Sequence, residues 1–163
     1  MFVAKIFDNT LSGWIDLEDE IFSLEKEAFS GEAFTKDTLE ADFLDSKNLV
    51  VVLKNTTSNE AVGFTYAKPL DPEGDDSPAK QGETAWMWDT VIKKEHRGKG
   101  LLGIMMSTLE EELRNRGFKY LERNALIANN FAENIDKHYN DRIIKKFPLD
   151  SRWGPQIFFR IRL

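Results

Sequence analysis

The chain has 163 residues, 41% of them hydrophobic and 31% charged, with no cysteine and two histidines. That length suits one substantial core, so residues 1–163 read as a single domain. The composition excludes disulfides, thiolate metal sites and a cysteine nucleophile, and His96 with His138 are too few for a metal cluster, so no metal is expected.

No apolar stretch approaches the roughly 20 residues of a membrane span, and Met1–Thr10 has neither a basic n-region nor a long apolar h-region. A cytoplasmic protein with no membrane partner is expected. The net charge of -6 hides an asymmetry: residues 1–89 carry 7 Lys+Arg against 19 Asp+Glu, and residues 90–163 carry 15 against 9. A basic second half suits an anionic partner, while the acidic first half either attracts a cation or is a solvated face. The overall acidity argues against a nucleic acid partner, which needs a clustered basic surface with aromatic platforms.

In chain order, Phe2–Phe7 alternates as a strand closed by Asp8-Asn9. Ile15, Leu17, Ile21, Leu24 and Phe29 keep helical spacing, with Asp16, Glu18, Asp19 and Glu20 in the first turns, where carboxylates suit the positive helix end. Ser30-Gly31 breaks that helix, Glu32 to Phe34 turns a corner, and Thr35–Leu44 predicts a second, short one. Asn48–Lys54 is β-branched enough to be a buried strand, and Asn55–Asn59 is a hairpin turn back into a strand over Glu60–Lys68. Pro69–Gly82, with four acids, reads as a long mobile loop.

The run Trp86-Met87-Trp88-Asp89-Thr90-Val91-Ile92 is the next strand, followed by the basic, glycine-rich Lys93–Gly103 and a helix with an apolar stripe of Leu102, Met105, Met106, Leu109 and Leu113. Glu110 with Arg114 and Glu112 with Arg116 are expected as exposed i,i+4 pairs. Gly117 ends the helix, and Phe118–Ile127 is a strand. Asn129-Asn130 opens a further helix, with Glu133 in capping-box spacing from Asn130. Arg142–Phe147 and Gln156–Leu163 close the chain as strands joined by Pro148–Pro155. This order of elements, hairpins with one βαβ crossover, is an α+β arrangement of helices on a mixed sheet.

Strand, glycine loop and helix start together make an anion site: the first helical N–H groups lack intrahelical partners, and Arg97 and Lys99 add charge. Alternatively, Gly98 and Gly100 shape a turn and the basic residues are solvated. The segment Lys94-Glu95-His96-Arg97-Gly98-Lys99-Gly100-Leu101 resembles the acyl-CoA signature of the GNAT superfamily of N-acetyltransferases, an Arg/Gln-x-x-Gly-x-Gly/Ala loop after an apolar strand. One departure is that the last Gly/Ala slot falls on Leu102, with Gly103 one residue later. The element order is similar to that family over nearly the whole chain.

The resemblance implies a GNAT-like central mixed sheet of about seven strands with about four helices. It implies acetyl-CoA as acyl donor, no metal, transfer to a primary amine on a small molecule or peptide, and a monomer or homodimer. It places the cofactor's arm along Val91 and Ile92, and its pyrophosphate on Arg97, Gly98, Lys99, Gly100, Leu101, Leu102 and Gly103. Asn129 and Ala132 fall on family positions beyond the next strand.

An ammonium must lose a proton before it attacks, and a carboxylate near the strand is the natural base. Asp89 interrupts an apolar run, so it is either that base or a structural aspartate bonded to backbone. Glu83, at the strand start, is a second candidate. The family tyrosine that protonates the thiolate would fall on Asp136, and Tyr139, one turn on, is either a displaced general acid or a packing residue. By the same resemblance Glu32, Phe34, Asp150 and Trp153 border the acceptor, for which a cationic amine is the expectation. The rival reading is a non-catalytic acyl-CoA-binding module, to which Asp136 and Leu102 give substance.

Overall fold

A computed structural model describes residues 1–70 and 83–163. The acidic loop expected over Pro69–Gly82 therefore lies almost wholly outside the described residues. Seven strands form one mixed sheet in the order β1-β2-β3-β4-β5-β7-β6: β1 Phe2–Ile6, β2 Leu49–Asn55, β3 Ala61–Pro69, β4 Thr84–Ile92, β5 Tyr120–Leu126, β6 Ile143–Ser151 and β7 Gly154–Arg162. The helices are α1 Leu11–Ile15, α2 Glu18–Phe29, α3 Lys36–Leu44, α4 Leu101–Asn115 and α5 Phe131–Tyr139. The chain resolves into two compact units, Met1–Lys68 with Trp88–Glu112, and Pro69–Met87 with Leu113–Leu163.

In the first unit β1 and β2 pair antiparallel from Phe2↔Asn55 to Ile6↔Val51. The β-branched run Val50-Val51-Val52 is buried on both faces, as its lack of alternation requires. The β2–β3 ladder slips by one residue between Leu53 and Lys54, a bulge of the kind that bends a strand. The single expected helix over Ile15–Phe29 is instead two. The Thr10 hydroxyl accepts from the Gly13 amide and caps α1. Its chain then breaks at Leu17, and α2 restarts without a side-chain cap on the acids Glu18, Asp19 and Glu20, whose charge suits the positive end.

Trp14, Ile21, Leu39, Phe43, Phe64 and Tyr66 are fully buried and form the core of this unit. Phe43 sits at its centre, with ring centroids 5.1 Å from Trp14, 5.8 Å from Phe64 and 5.8 Å from Tyr66, edge contacts that suit the aromatic quadrupole. Leu101, Met105, Met106 and Leu109 of α4 are buried too. Glu110 is not on the wet face: it is only 4% exposed.

In the second unit β4 and β5 run parallel over Thr84↔Tyr120 to Trp86↔Glu122. β5 pairs antiparallel with β7 along its whole length, and β7 with β6 from Ile143↔Ile161 to Ser151↔Gly154. The expected eight-residue connection is thus a tight turn at Arg152-Trp153, and Pro148 is a strand residue. β6 ends the strand order, and an edge strand tolerates proline because its outer amides need no partner. α4 closes with the Phe118 amide on the Leu113 carbonyl and the Gly117 amide on the Arg114 carbonyl, with Gly117 at φ 88°, a Schellman end. The capping box does not form. Asn130 is left-handed at φ 61° with no side-chain cap bond, and the Asn129 carboxamide oxygen accepts from the Phe131 amide instead.

Candidate active site

The second half of β4 alternates as a strand should: Trp88 is exposed, Asp89 and Val91 are buried. A Cβ built on Gly63 of β3 would come within 2.8 Å of the Val91 carbonyl oxygen, so β3 reaches β4 there only because residue 63 has no side chain. The Lys93 amide donates to the Val62 carbonyl. The Ile92 carbonyl accepts instead from Arg97 Nε at 2.8 Å, so Arg97 is held back against the strand end.

Between β4 and α4 the chain makes a 3-10 turn over Lys94–His96 and then extends at Arg97. Gly98 and Gly100 follow at φ 73° and 75°, and a Cβ at either would meet nothing within 4 Å. Both glycines are therefore required by backbone conformation and face open space, which fits a ligand approaching the backbone there. The turn is tied from two sides: Glu27 of α2 accepts from the Lys94 amide at 3.0 Å, and Lys93 Nζ pairs with Glu60 at 2.8 Å and Glu95 at 3.1 Å. Those bonds raise Lys93 and lower Glu95 from their ordinary values. Arg97 and Lys99 stay exposed beside the glycines.

Asp89 is 7% exposed, and its Oδ1 accepts from the Thr90 amide at 2.7 Å. Glu25 of α2 is 1% exposed and accepts from the Phe34 amide at 2.9 Å, and burial pushes its carboxyl up from its ordinary value. Tyr66 and Asp42 complete the group. The Tyr66 hydroxyl donates to Asp42 at 2.9 Å, and Lys68 Nζ pairs with Asp42 at 2.7 Å. Burial and then the charges of Asp42, Asp89 and Glu25 push the Tyr66 phenol far up, so it stays protonated. Beside these groups Phe34 stacks on Trp88 with centroids 6.4 Å apart, and Lys68 Nζ lies 4.0 Å over the Trp88 ring.

Other expected site residues stand elsewhere. Glu83 stands at the opposite end of β4 from Val91, where it pairs with Lys119 at 3.1 Å and its carbonyl accepts from the Lys119 and Tyr120 amides. Tyr139 is 0% exposed, on the stripe Ala132, Ile135, Tyr139 that buries α5, with the Arg142 guanidinium 4.8 Å over its ring. A side chain with no accessible surface fits the packing alternative for Tyr139. Asp136, in the tyrosine slot, pairs with Lys146 at 2.7 Å. Glu32 is exposed in the 3-10 turn after α2. Asp150 lies in β6, and Trp153 is 52% exposed at the hairpin tip with Arg152 4.4 Å over its ring.

Residues 13–134 match the model of the acetyltransferase (GNAT) family. The chain belongs to that family. Among solved structures this GNAT chain is similar to the yncA protein of Salmonella typhimurium with its cofactor acetyl-CoA, at 16% identity and TM-score 0.73 over 99% of this chain and 94% of that one. It is similar to the ribosomal-protein-alanine N-acetyltransferase of Brucella melitensis at 16% and 0.71 over 99% of both chains. An aminoglycoside 6'-N-acetyltransferase complexed with coenzyme A matches at 15% and 0.69 over 98% and 96%. Those identities carry the fold: a seven-stranded mixed sheet with five helices. No curated protein matches the chain. Among the described residues no helix is long and apolar enough to cross a membrane, and no group of three His, Cys, Asp or Glu is set to hold a metal.

The buried Glu25 and the Lys68–Trp88 contact are features of the first unit that the sequence reading missed. Glu25 carried a signal. It stands four after Ile21 on the buried stripe of α2, where a carboxylate needs a reason.

Proposed function

We propose that this GNAT chain is one domain that transfers the acetyl group of acetyl-CoA to a primary amine. The observation that carries the reading is the pair of left-handed glycines, Gly98 and Gly100, between a strand holding a buried carboxylate and the start of α4. The family model runs across both compact units, which supports one domain.

Acetyl-CoA supplies the acyl thioester when bound. Arg97, Lys99 and the loop and helix start from Gly98 to Gly103 bind a pyrophosphate through charge, helix dipole and the backbone donors of the turn. The backbone of Val91 and Ile92 orients the arm and offers an N–H where negative charge develops, a role that typically contributes ~10²- to 10³-fold in rate. Asp89 takes the proton from the acceptor ammonium. With Tyr139 buried, solvent protonates the leaving thiolate.

The acceptor is proposed to be a cationic amine. Glu32 and Phe34 are its proposed contacts in the first unit, and Lys68 over Trp88 is a precedent for an ammonium on that ring. Following free thiol with acetyl-CoA and a panel of amines tests transfer. A diamine should be used better than a neutral-tailed monoamine, and its kcat/KM should fall as salt screens charges over about 8 to 10 Å. A preferred monoamine, or indifference to salt, rejects the cationic acceptor. The ion-paired Asp136 in the tyrosine slot favours a second reading, a non-catalytic acyl-CoA-binding module; calorimetric binding of CoA without thiol release under any amine would select it.

A further inference from the structure

Lys68 holds its ammonium in a site made by other side chains of the first unit. Its Nζ lies 2.7 Å from Asp42 Oδ1, 4.0 Å over the Trp88 ring and 6.0 Å over that of Tyr66, a carboxylate and two π faces, the set that recognises an alkylammonium. The strand period places it there: Tyr66 and Lys68 are two apart on β3 and share a face, and Lys68 stands where the buried run of that strand ends. Bonds that do not involve Lys68 hold the site. The Tyr66 hydroxyl donates to Asp42 Oδ2, which leaves Oδ1 to the ammonium, and Phe34 stacks on Trp88. The charges of Asp42, Asp89 and Glu25 all act on the Tyr66 phenol, so the field around the site is negative.

We propose that Asp42 and Trp88 form a cation subsite that Lys68 fills as an internal stand-in, and that a primary alkylammonium, the distal end of a diamine acceptor, displaces it. Its place in turnover rests on the acetyl-transfer reading; the binding of an alkylammonium does not. Water reaches the pair, with the Lys68 and Asp42 side chains 24% and 15% exposed and Trp88 45% exposed. The four-carbon stem of Lys68 can therefore swing its ammonium into solvent at little cost. An incoming ammonium restores both contacts, on Asp42 Oδ1 and on the ring, while the Lys68 charge regains its hydration. A neutral tail restores neither and would leave the Asp42 oxygen without its cation. Lys68 thus discriminates against neutral tails, since only a cation repays its removal.

The test is an NMR titration of tryptophan indole N–H signals in the intact protein without acetyl-CoA, using 1,4-diaminobutane and, as a neutral probe, 1-butanol. The Trp88 signal is identified by its loss in Trp88→Phe. Lys68→Met removes the competitor, so the diamine should shift the Trp88 signal with an affinity about tenfold or more above wild type, and 1-butanol should not shift it. Lys68→Gln reads the same gain if Lys68→Met folds poorly, and adding Asp42→Asn to either should abolish it. Lys5→Met removes the same charge from an exposed position on β1 and should leave the affinity at its wild-type value. In turnover, the ratio of kcat/KM for diamine over neutral-tailed monoamine should rise by about tenfold in the Lys68 variant. Equal affinity in wild type and the Lys68 variants, the same gain in Lys5→Met, or diamine shifts that spare Trp88 overturn the subsite even if transfer proceeds. A ratio that does not move while transfer proceeds overturns its part in acceptor choice. Diamine bound at Trp88 without transfer to any amine leaves the subsite standing and rejects the transfer reading.

Discussion

Gly63 and Val91 meet where a Cβ on the glycine would lie 2.8 Å from the valine carbonyl oxygen. The contact is backbone against side chain, so neither rotamer change nor a flexible tip can relieve it. Gly63→Ala should displace β4 at the residues proposed to orient the cofactor's arm. We expect weaker CoA binding by calorimetry together with a lower Tm, a cost of about 1–3 kcal/mol as for other overpacked sites. Wild-type CoA affinity in this variant would show that the strand position is not set by that approach.

Gly100 gives the opposite case, a glycine with room around it but a left-handed backbone at φ 75°. Gly100→Val should fold, losing roughly 1–2 kcal/mol for the disfavoured conformation, and should lose measurable CoA binding because its side chain fills the space proposed for phosphate. Retained affinity would remove the loop from the binding site.

Replacing Asp89 by asparagine keeps the bond from the Thr90 amide and removes basicity. A fall in kcat/KM of about 10²- to 10⁴-fold is expected, with flattening of the acid limb. Were the pH profile unaltered, Asp89 would be a structural residue only.

For Tyr139 the expectation is the reverse. Tyr139→Phe should leave kcat and its pH dependence unchanged, since the ring is fully buried, whereas Tyr139→Ala should cost about 3–5 kcal/mol of stability through the cavity it leaves. A large loss of kcat in the phenylalanine variant would restore the hydroxyl to the chemistry.

Elements with one dominant signal were legible in the sequence: the β-branched β2, the glycine loop before α4, and the methionine-bearing stripe of that helix. Those that were not depend on context. Pro148 read as a breaker because local pattern cannot tell that β6 lies at the edge of the sheet, where a missing amide costs nothing. Ile15 and Leu17 fit one helix by spacing, but the Thr10 cap fixes an earlier start and forces a restart at Glu18. At the site, Asp89 stood out as a charge inside an apolar strand, whereas the burial of Glu25 depends on the packing of α2, which local pattern does not show. Tyr139 shows the converse, since a tyrosine on a helical face has the same spacing whether its hydroxyl meets a ligand or a core.

The sheet's last strand, β6, carries Lys145 and Lys146 between the exposed Ile144 and Phe147, and Pro148 directly after them. An outer strand with free amides and carbonyls is a template on which another chain can add, and apolar residues on it raise that hazard. Two charges and a residue with no amide interrupt the template at its most adhesive point. Protection against strand-by-strand self-association thus sits in the same short segment as Asp150, and changes made to that acid would also act on solubility.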